Sequence, residues 1–125
     1  MPFARLAAVS GLIAVAAGAF GAHALRARLG PDQLQTWETA ARYQMYHVVP
    51  LFVIAWLLAQ GPCPWATRAG WAFLLGTLLF SGSLYALALT GITRLGMITP
   101  LGGVALLAGW AMLALAVGGG APARE

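Results

Sequence analysis

The chain has 125 residues, 61% of them hydrophobic and only 8% charged, against about 25% charged in an ordinary soluble domain. A water-soluble fold of this size could not clothe its surface with so few charges, so a single integral membrane domain over residues 1–125 is expected, with the lipid bilayer as its first partner. The net charge of +4 comes from seven arginines, no lysine and three acids, and the arginines stand singly, which leaves no basic patch for nucleic acid.

Residues 3–22 form the first apolar run, interrupted only by Arg5 and Ser10. Their length suits one crossing of a bilayer. Ala7, Gly11, Ala14, Gly18 and Gly21 recur at spacings of 4, 3, 4 and 3, which stacks them on one helical face. Such a stripe admits a second backbone at close range. Arg5, the apolar core and Ala22-His23-Ala24 also match a secretory signal with its cleavage site. The length of the run and its patterned glycines favour a retained span.

Residues 23–42 are a more polar connection. Gly30-Pro31 is a break. Asp32, with Gln35 three residues on, opens an amphipathic helix over about 32–42, and that helix is expected to lie in the membrane interface. Glu38 and Arg42 stand four apart, a spacing that allows an ion pair. Residues 43–60 are the second span, opened by Tyr43 and Tyr46 and kinked at Pro50, which removes a backbone donor. Pro62-Cys63-Pro64 reads as a rigid turn, and the lone cysteine has no partner for a disulfide or a metal pair.

The third span runs over about 69–89. Gly82, Ala86 and Thr90, four apart, offer a second close-packing face, and Ser81 and Ser83 can bond the carbonyls of their own helix. A loop carrying Arg94 leads to the fourth span, 99–118, with Thr99 as N-cap and Pro100 at the first helical position. Gly102, Ala105 and Gly109 form a third small-residue face. Trp37, Trp65 and Trp71 stand near span ends as interface anchors, and Trp110 is expected to pack. Gly118-Gly119-Gly120 ends the helix, and the tail 121–125 is expected to be disordered.

The expected fold is an all-α membrane protein: a four-transmembrane-helix bundle with a short amphipathic interfacial helix between spans one and two. Both termini then lie on one side. Arg5, Arg68 and Arg124 face Arg26, Arg28, Arg42 and Arg94 across the membrane, too even a division to orient the chain.

Three blocks resemble a known family. They are Gly18-Ala19-Phe20-Gly21-Ala22-His23-Ala24-Leu25, then Arg42-Tyr43-Gln44-Met45-Tyr46-His47, then Thr99-Pro100-Leu101-Gly102-Gly103 with Gly109-Trp110. In this order and spacing they resemble the domain of unknown function 423 family, which includes the transmembrane protein 256 group. The resemblance covers nearly the whole chain. It implies a small four-helix protein of a bacterial inner membrane and supplies no catalytic residues.

The residues that could carry chemistry are His23, Arg42, Tyr43 and His47. The connection returns the chain, so both histidines are expected near one membrane face, where the four side chains could line a polar pocket. An ionisable group at membrane depth is expensive and therefore a functional suspect. The bland reading is that His23 sits at the water boundary, His47 bonds a neighbouring helix, and Arg42 pairs with Glu38 or snorkels to headgroups. The two imidazoles could bind haem axially, but no further His/Cys cluster or attachment motif accompanies them. Ser10, Ser81 and Ser83 lack a nearby base, so no nucleophile is visible and no enzyme is expected.

Three functions follow. The favoured one is a structural or accessory membrane component without cofactor, packing against itself or a larger complex through Gly11, Gly18, Gly21, Gly82, Ala86, Gly102 and Gly109. The second is a binding protein for a lipid, quinone or haem at His23, Arg42, Tyr43 and His47. The third is a small transporter or channel; none of the four expected spans holds an acid, which argues against proton-coupled cation export.

Overall fold

The structure is a computed structural model, and it describes residues 2–119. Gly120 and the tail 121–125 lie outside the described residues. Helix α1 runs Phe3–Leu25 with a π-helical turn at Ala16–Gly21. It is followed by α2 (Pro31–Tyr46), α3 (Val48–Ala59), α4 (Pro64–Thr90) and α5 (Thr99–Gly118), with a 3-10 turn at Thr93–Met97 before α5. Among the described residues every regular element is helical.

Among the described residues three helical stretches are long and apolar enough to cross a membrane: Phe3–Leu25, Pro64–Thr90 and Thr93–Gly118. The expected second span, 43–60, is not one helix. Helix α2 runs through both the expected interfacial segment and the start of that span, breaks at His47 (φ −96°, ψ 5°), and the chain restarts as α3. Pro50 explains the break. It has no N–H for the Tyr46 carbonyl, and its ring crowds that carbonyl. The His47 N–H turns instead to the Gln44 carbonyl at 3.3 Å. Alone, α3 is about 18 Å long, short of the ~30 Å of hydrocarbon.

Nor does α2 float apart from the bundle as an interfacial helix. Its Ala40, Ala41 and Gln44 are buried. Small alanines on that face let α1 and α4 approach, and Ser81 Oγ donates to the Ala40 carbonyl at 2.8 Å. The helix begins at Pro31, not Asp32, because proline's φ is already helical at the first position. Gly30 is the N-cap, and its N–H donates to Gln33 Oε1 at 3.2 Å.

The stripe on α1 faces α2 and α3. A Cβ on Gly11 would stand 3.6 Å from Val48, one on Gly18 3.7 Å from Ala41, and one on Gly21 2.9 Å from the Trp37 ring. Helices α4 and α5 pack closer still. A Cβ on Gly102 would fall on the Phe80 backbone, 2.7 Å from its Cα; one on Gly109 would meet the Phe73 ring at 2.9 Å. Gly70 and Gly76, absent from the expected faces, receive Phe3 and Leu106. Gly82 does not serve as a packing glycine: the space beside it is open. It lies about 120° round the helix from Gly76, so the close face of α4 is Gly70, Phe73 and Gly76 rather than Gly82, Ala86 and Thr90. Ala86 is half-buried and Thr90 exposed.

Thr99 is the first residue of α5 rather than its cap, and its hydroxyl meets Ser83 Oγ at 2.6 Å. Phe3, Leu51, Ile54 and Phe73 close the core, while Leu12, Phe20, Trp56, Leu78 and Leu107 are exposed. An apolar exterior of this extent is suited to lipid.

Candidate functional site

Ser10, Trp37, Gln44, His47, Ser81, Tyr85 and Trp110 make their side-chain hydrogen bonds on or to α2 and the break that ends it. His47, at its C-terminal break, is 6% exposed. Its Nδ1 lies 2.6 Å from the Tyr43 carbonyl and its Nε2 3.1 Å from Trp110 Nε1. An indole N–H only donates, so Nε2 accepts from Trp110, and Nδ1 carries the proton and donates to Tyr43. Both ring nitrogens are engaged. Phe73 lies against the imidazole at 5.7 Å.

One turn earlier, Gln44 ties three helices. Its Nε2 donates to the Ser10 carbonyl at 3.3 Å and to Ser10 Oγ at 3.2 Å, and its Oε1 accepts from Tyr85 Oη at 2.8 Å. Two turns earlier, Trp37 Nε1 donates to the Ala17 carbonyl at 2.8 Å, within the π-helical turn. The Ala22 N–H also reaches that carbonyl. The Trp37 ring lies edge-on to Tyr85 at 4.7 Å. Trp37 is thus part of the interior rather than an interface anchor, whereas Trp65 is exposed, with Arg68 5.0 Å over its ring.

The hydroxyls of α4 divide. Ser83 bonds back to the Phe80 carbonyl at 2.9 Å, but Ser81 crosses to α2. Thr77 Oγ1 is buried without a hydrogen-bond partner among the described residues.

These bonds fix the height of the cluster. Ala40 is held by Ser81 and His47 lies against Phe73, so the stretch between them faces the middle of α4, around Thr77. The polar cluster sits level with the middle of α4.

Of the four expected site residues only Tyr43 and His47 meet. His23 is exposed near the end of α1. Gly11 packs beside Val48, so His23, twelve residues on, lies about 18 Å further along the helix. Arg42 is exposed on the outer face of α2, and Tyr43 contributes its carbonyl to His47 while its ring packs on Phe80 at 4.8 Å. A metal or haem iron at His47 Nε2 would have to displace Trp110. Among the described residues no three His, Cys, Asp or Glu side chains gather. The open hollow lined by Leu58, Gln60, Cys63 and Thr67 lies at the α3–α4 turn, away from the cluster.

Sequence reasoning missed Gln44, Tyr85, Trp37 and Trp110 as partners. Polar residues inside apolar runs were the available signal; which of them pair depends on helix rotation.

The model of the family described as protein of unknown function (DUF423) matches residues 17–103. The chain belongs to this family. It is 47% identical over 115 residues to the UPF0382 membrane protein YwdK of Bacillus subtilis, across 91% of this chain and 94% of that one. It is 44% identical over 114 residues to a UPF0382 membrane protein of Staphylococcus aureus and 45% identical over 114 residues to one of Staphylococcus epidermidis, each across 91% of this chain and 93% of the relative. No solved structure matches the chain. The family match spans α2 with its Gln44 and His47 and stops inside α5, before Trp110. The relatives' name, membrane protein, agrees with the exposed apolar exterior.

Proposed function

We propose that this DUF423 protein is a structural or accessory component of a bacterial cytoplasmic membrane, crossing the bilayer four times and acting by association rather than by catalysis. One observation carries the reading. Gln44 bonds Ser10 and Tyr85, His47 bonds Trp110, and Ser81 bonds the Ala40 carbonyl, so these interior polar side chains fasten α1, α2, α4 and α5 together. Glu38 and Arg42, by contrast, are exposed on the outer face of α2, beside the middle of spanning helices. Polar groups at that depth call for a protein partner.

The fourth crossing is supported by the path of α2 and α3. They lie antiparallel beside α1, from Trp37 at Gly21 to Val48 at Gly11, so what α1 crosses they cross too, as one broken helix. Relatives in Bacillus and Staphylococcus support a cytoplasmic membrane. Proton-coupled export is a weaker reading. Glu38 does lie alongside the spans, contrary to the expectation that it sits in a connection, but it faces outward.

The test is native mass spectrometry of the protein released gently from its own membrane, with an absorbance scan of the same sample. Assemblies made of protein subunits are expected. A solitary monomer, a stoichiometric small molecule or a haem band overturns the reading. The crossing number is checked by impermeant thiol reagents: Cys63, and Arg28→Cys in a Cys63→Ser background, are expected to label from opposite sides. Labelling from the same side removes the fourth crossing.

A further inference from the structure

The outer face of α2 is defined by its own burial pattern. Gln35, Glu38, Arg42 and Tyr46 are exposed at spacings of 3, 4 and 4, while Ala40, Ala41 and Gln44 are buried on the opposite side. The height of this face is set by two contacts, Ser81 Oγ on the Ala40 carbonyl and Phe73 on the His47 ring. Arg42 therefore stands level with the stretch Phe73–Ser81. Thr77, the central residue of the 27-residue α4, is the middle of that stretch. Bare lipid at that depth is the least hospitable place for a guanidinium, and the nearest headgroups are about 15 Å away.

We propose that this face is the contact between two copies of the chain, paired about a two-fold axis along the membrane normal, with Glu38 of each copy on Arg42 of the other; the proposal rests on the reading of the protein as an associating component. A two-fold contact sets a patch against itself, so the patch must be self-complementary. This one is. It carries one acid and one base a single turn apart, and a second copy supplies the opposite charge to each about 6 Å along the helix axis, a gap that the long arginine and glutamate side chains can span. Any other partner would need its own acid and base there. Charged residues within membranes pair with one another as a rule. Beyond the break the surface continues with exposed Val49 and Phe52 on α3, which gives the charged pairs an apolar flank.

The test uses two differently tagged full-length copies made in the same membrane. Glu38→Arg presents two bases on this face and Arg42→Glu presents two acids. Each alone is expected to lose self-association at least tenfold, as read by energy transfer between labelled copies in native-lipid particles. Mixing the two is expected to restore association, as Glu38→Arg beside Arg42→Glu. A pair within one helix, or a folding defect, stays broken in the mixture, because each copy keeps its own lesion. Where charge reversal prevents folding, Glu38→Gln and Arg42→Gln are expected to weaken association severalfold. In a Cys63→Ser background, Tyr46→Cys is expected to cross-link two copies on oxidation, and Leu78→Cys, on the exposed surface of α4, is not. Dimers indifferent to these charges, or cross-linking through Leu78→Cys alone, overturn the proposal. A wild-type chain whose α2 face holds a different protein also overturns it while leaving the associating role intact; a wild-type monomer with no partner removes both.

Discussion

Trp110 on α5 donates its indole N–H to Nε2 of His47, the residue at which α2 breaks and α3 begins, across 3.1 Å. The contact locks the neutral imidazole with its proton on Nδ1, aimed at the Tyr43 carbonyl. It joins residues 63 positions apart at a point where the backbone ladder has lapsed.

A double-mutant cycle measures that bond. Trp110→Phe keeps a ring for Phe73 and leaves His47 Nε2 without a donor; His47→Leu removes the acceptor. Unfolding by denaturing detergent in bicelles is expected to show both single variants destabilised, with a coupling of about 0.6–1.7 kcal/mol, the usual range for hydrogen bonds between membrane helices. Strict additivity would show that the contact contributes nothing.

Gln44 is expected to matter more than any one of its partners. Tyr85→Phe removes one bond and is expected to cost about 0.5–1.5 kcal/mol. Gln44→Leu leaves the Tyr85 hydroxyl orphaned as well and is expected to cost about 1–3 kcal/mol. Adding Tyr85→Phe to Gln44→Leu is expected to recover part of that loss in the same unfolding assay. A further loss would place the Tyr85 hydroxyl on another acceptor.

Two glycines provide a contrast. Gly102→Ala drives a methyl into the Phe80 backbone and is expected to destabilise by about 1–3 kcal/mol through overpacking. Gly82→Ala meets open space and is expected to be neutral or to stabilise by up to about 1 kcal/mol through helix propensity. The reverse order would move the α4–α5 contact to the other face of α4.

Thr77 offers the opposite of a loss. Its hydroxyl is buried without a partner among the described residues. Thr77→Val keeps the shape and removes the orphan, so unfolding is expected to show no loss and a gain of up to about 1–3 kcal/mol, the desolvation penalty of such a group. A clear destabilisation would mean the hydroxyl has a partner in the membrane.

The linear chain determined most of the class of this protein. Sparse charge, long apolar runs and glycines at helical spacing require only counting and the helical period, and they placed α1, α4 and α5, the stripe on α1, and Gly102 with Gly109 on α5. The family was legible for the same reason, since its motif blocks are local. An amphipathic helix over about 32–42 was legible, but its continuation to Tyr46 and its place inside the bundle were not. Its acids and glutamines read as an interface, because composition cannot register that Ala40, Ala41 and Gln44 lie on one side and Gln35, Glu38 and Arg42 on the other of a helix packed between two spans. His23 and His47 looked like neighbours because the connection was expected to return the chain at one membrane face. In fact α2 carries it to mid-bundle before the break that Pro50 imposes.

What only the tertiary structure decided is which polar groups meet. Ser10, Gln44 and Tyr85 lie on three helices, and His47 and Trp110 on elements far apart in the chain. Hydrogen bonds are directional and short, so their pairing depends on rotations and heights that helix packing sets. The apolar pattern, which is additive and insensitive to direction, needed no such information.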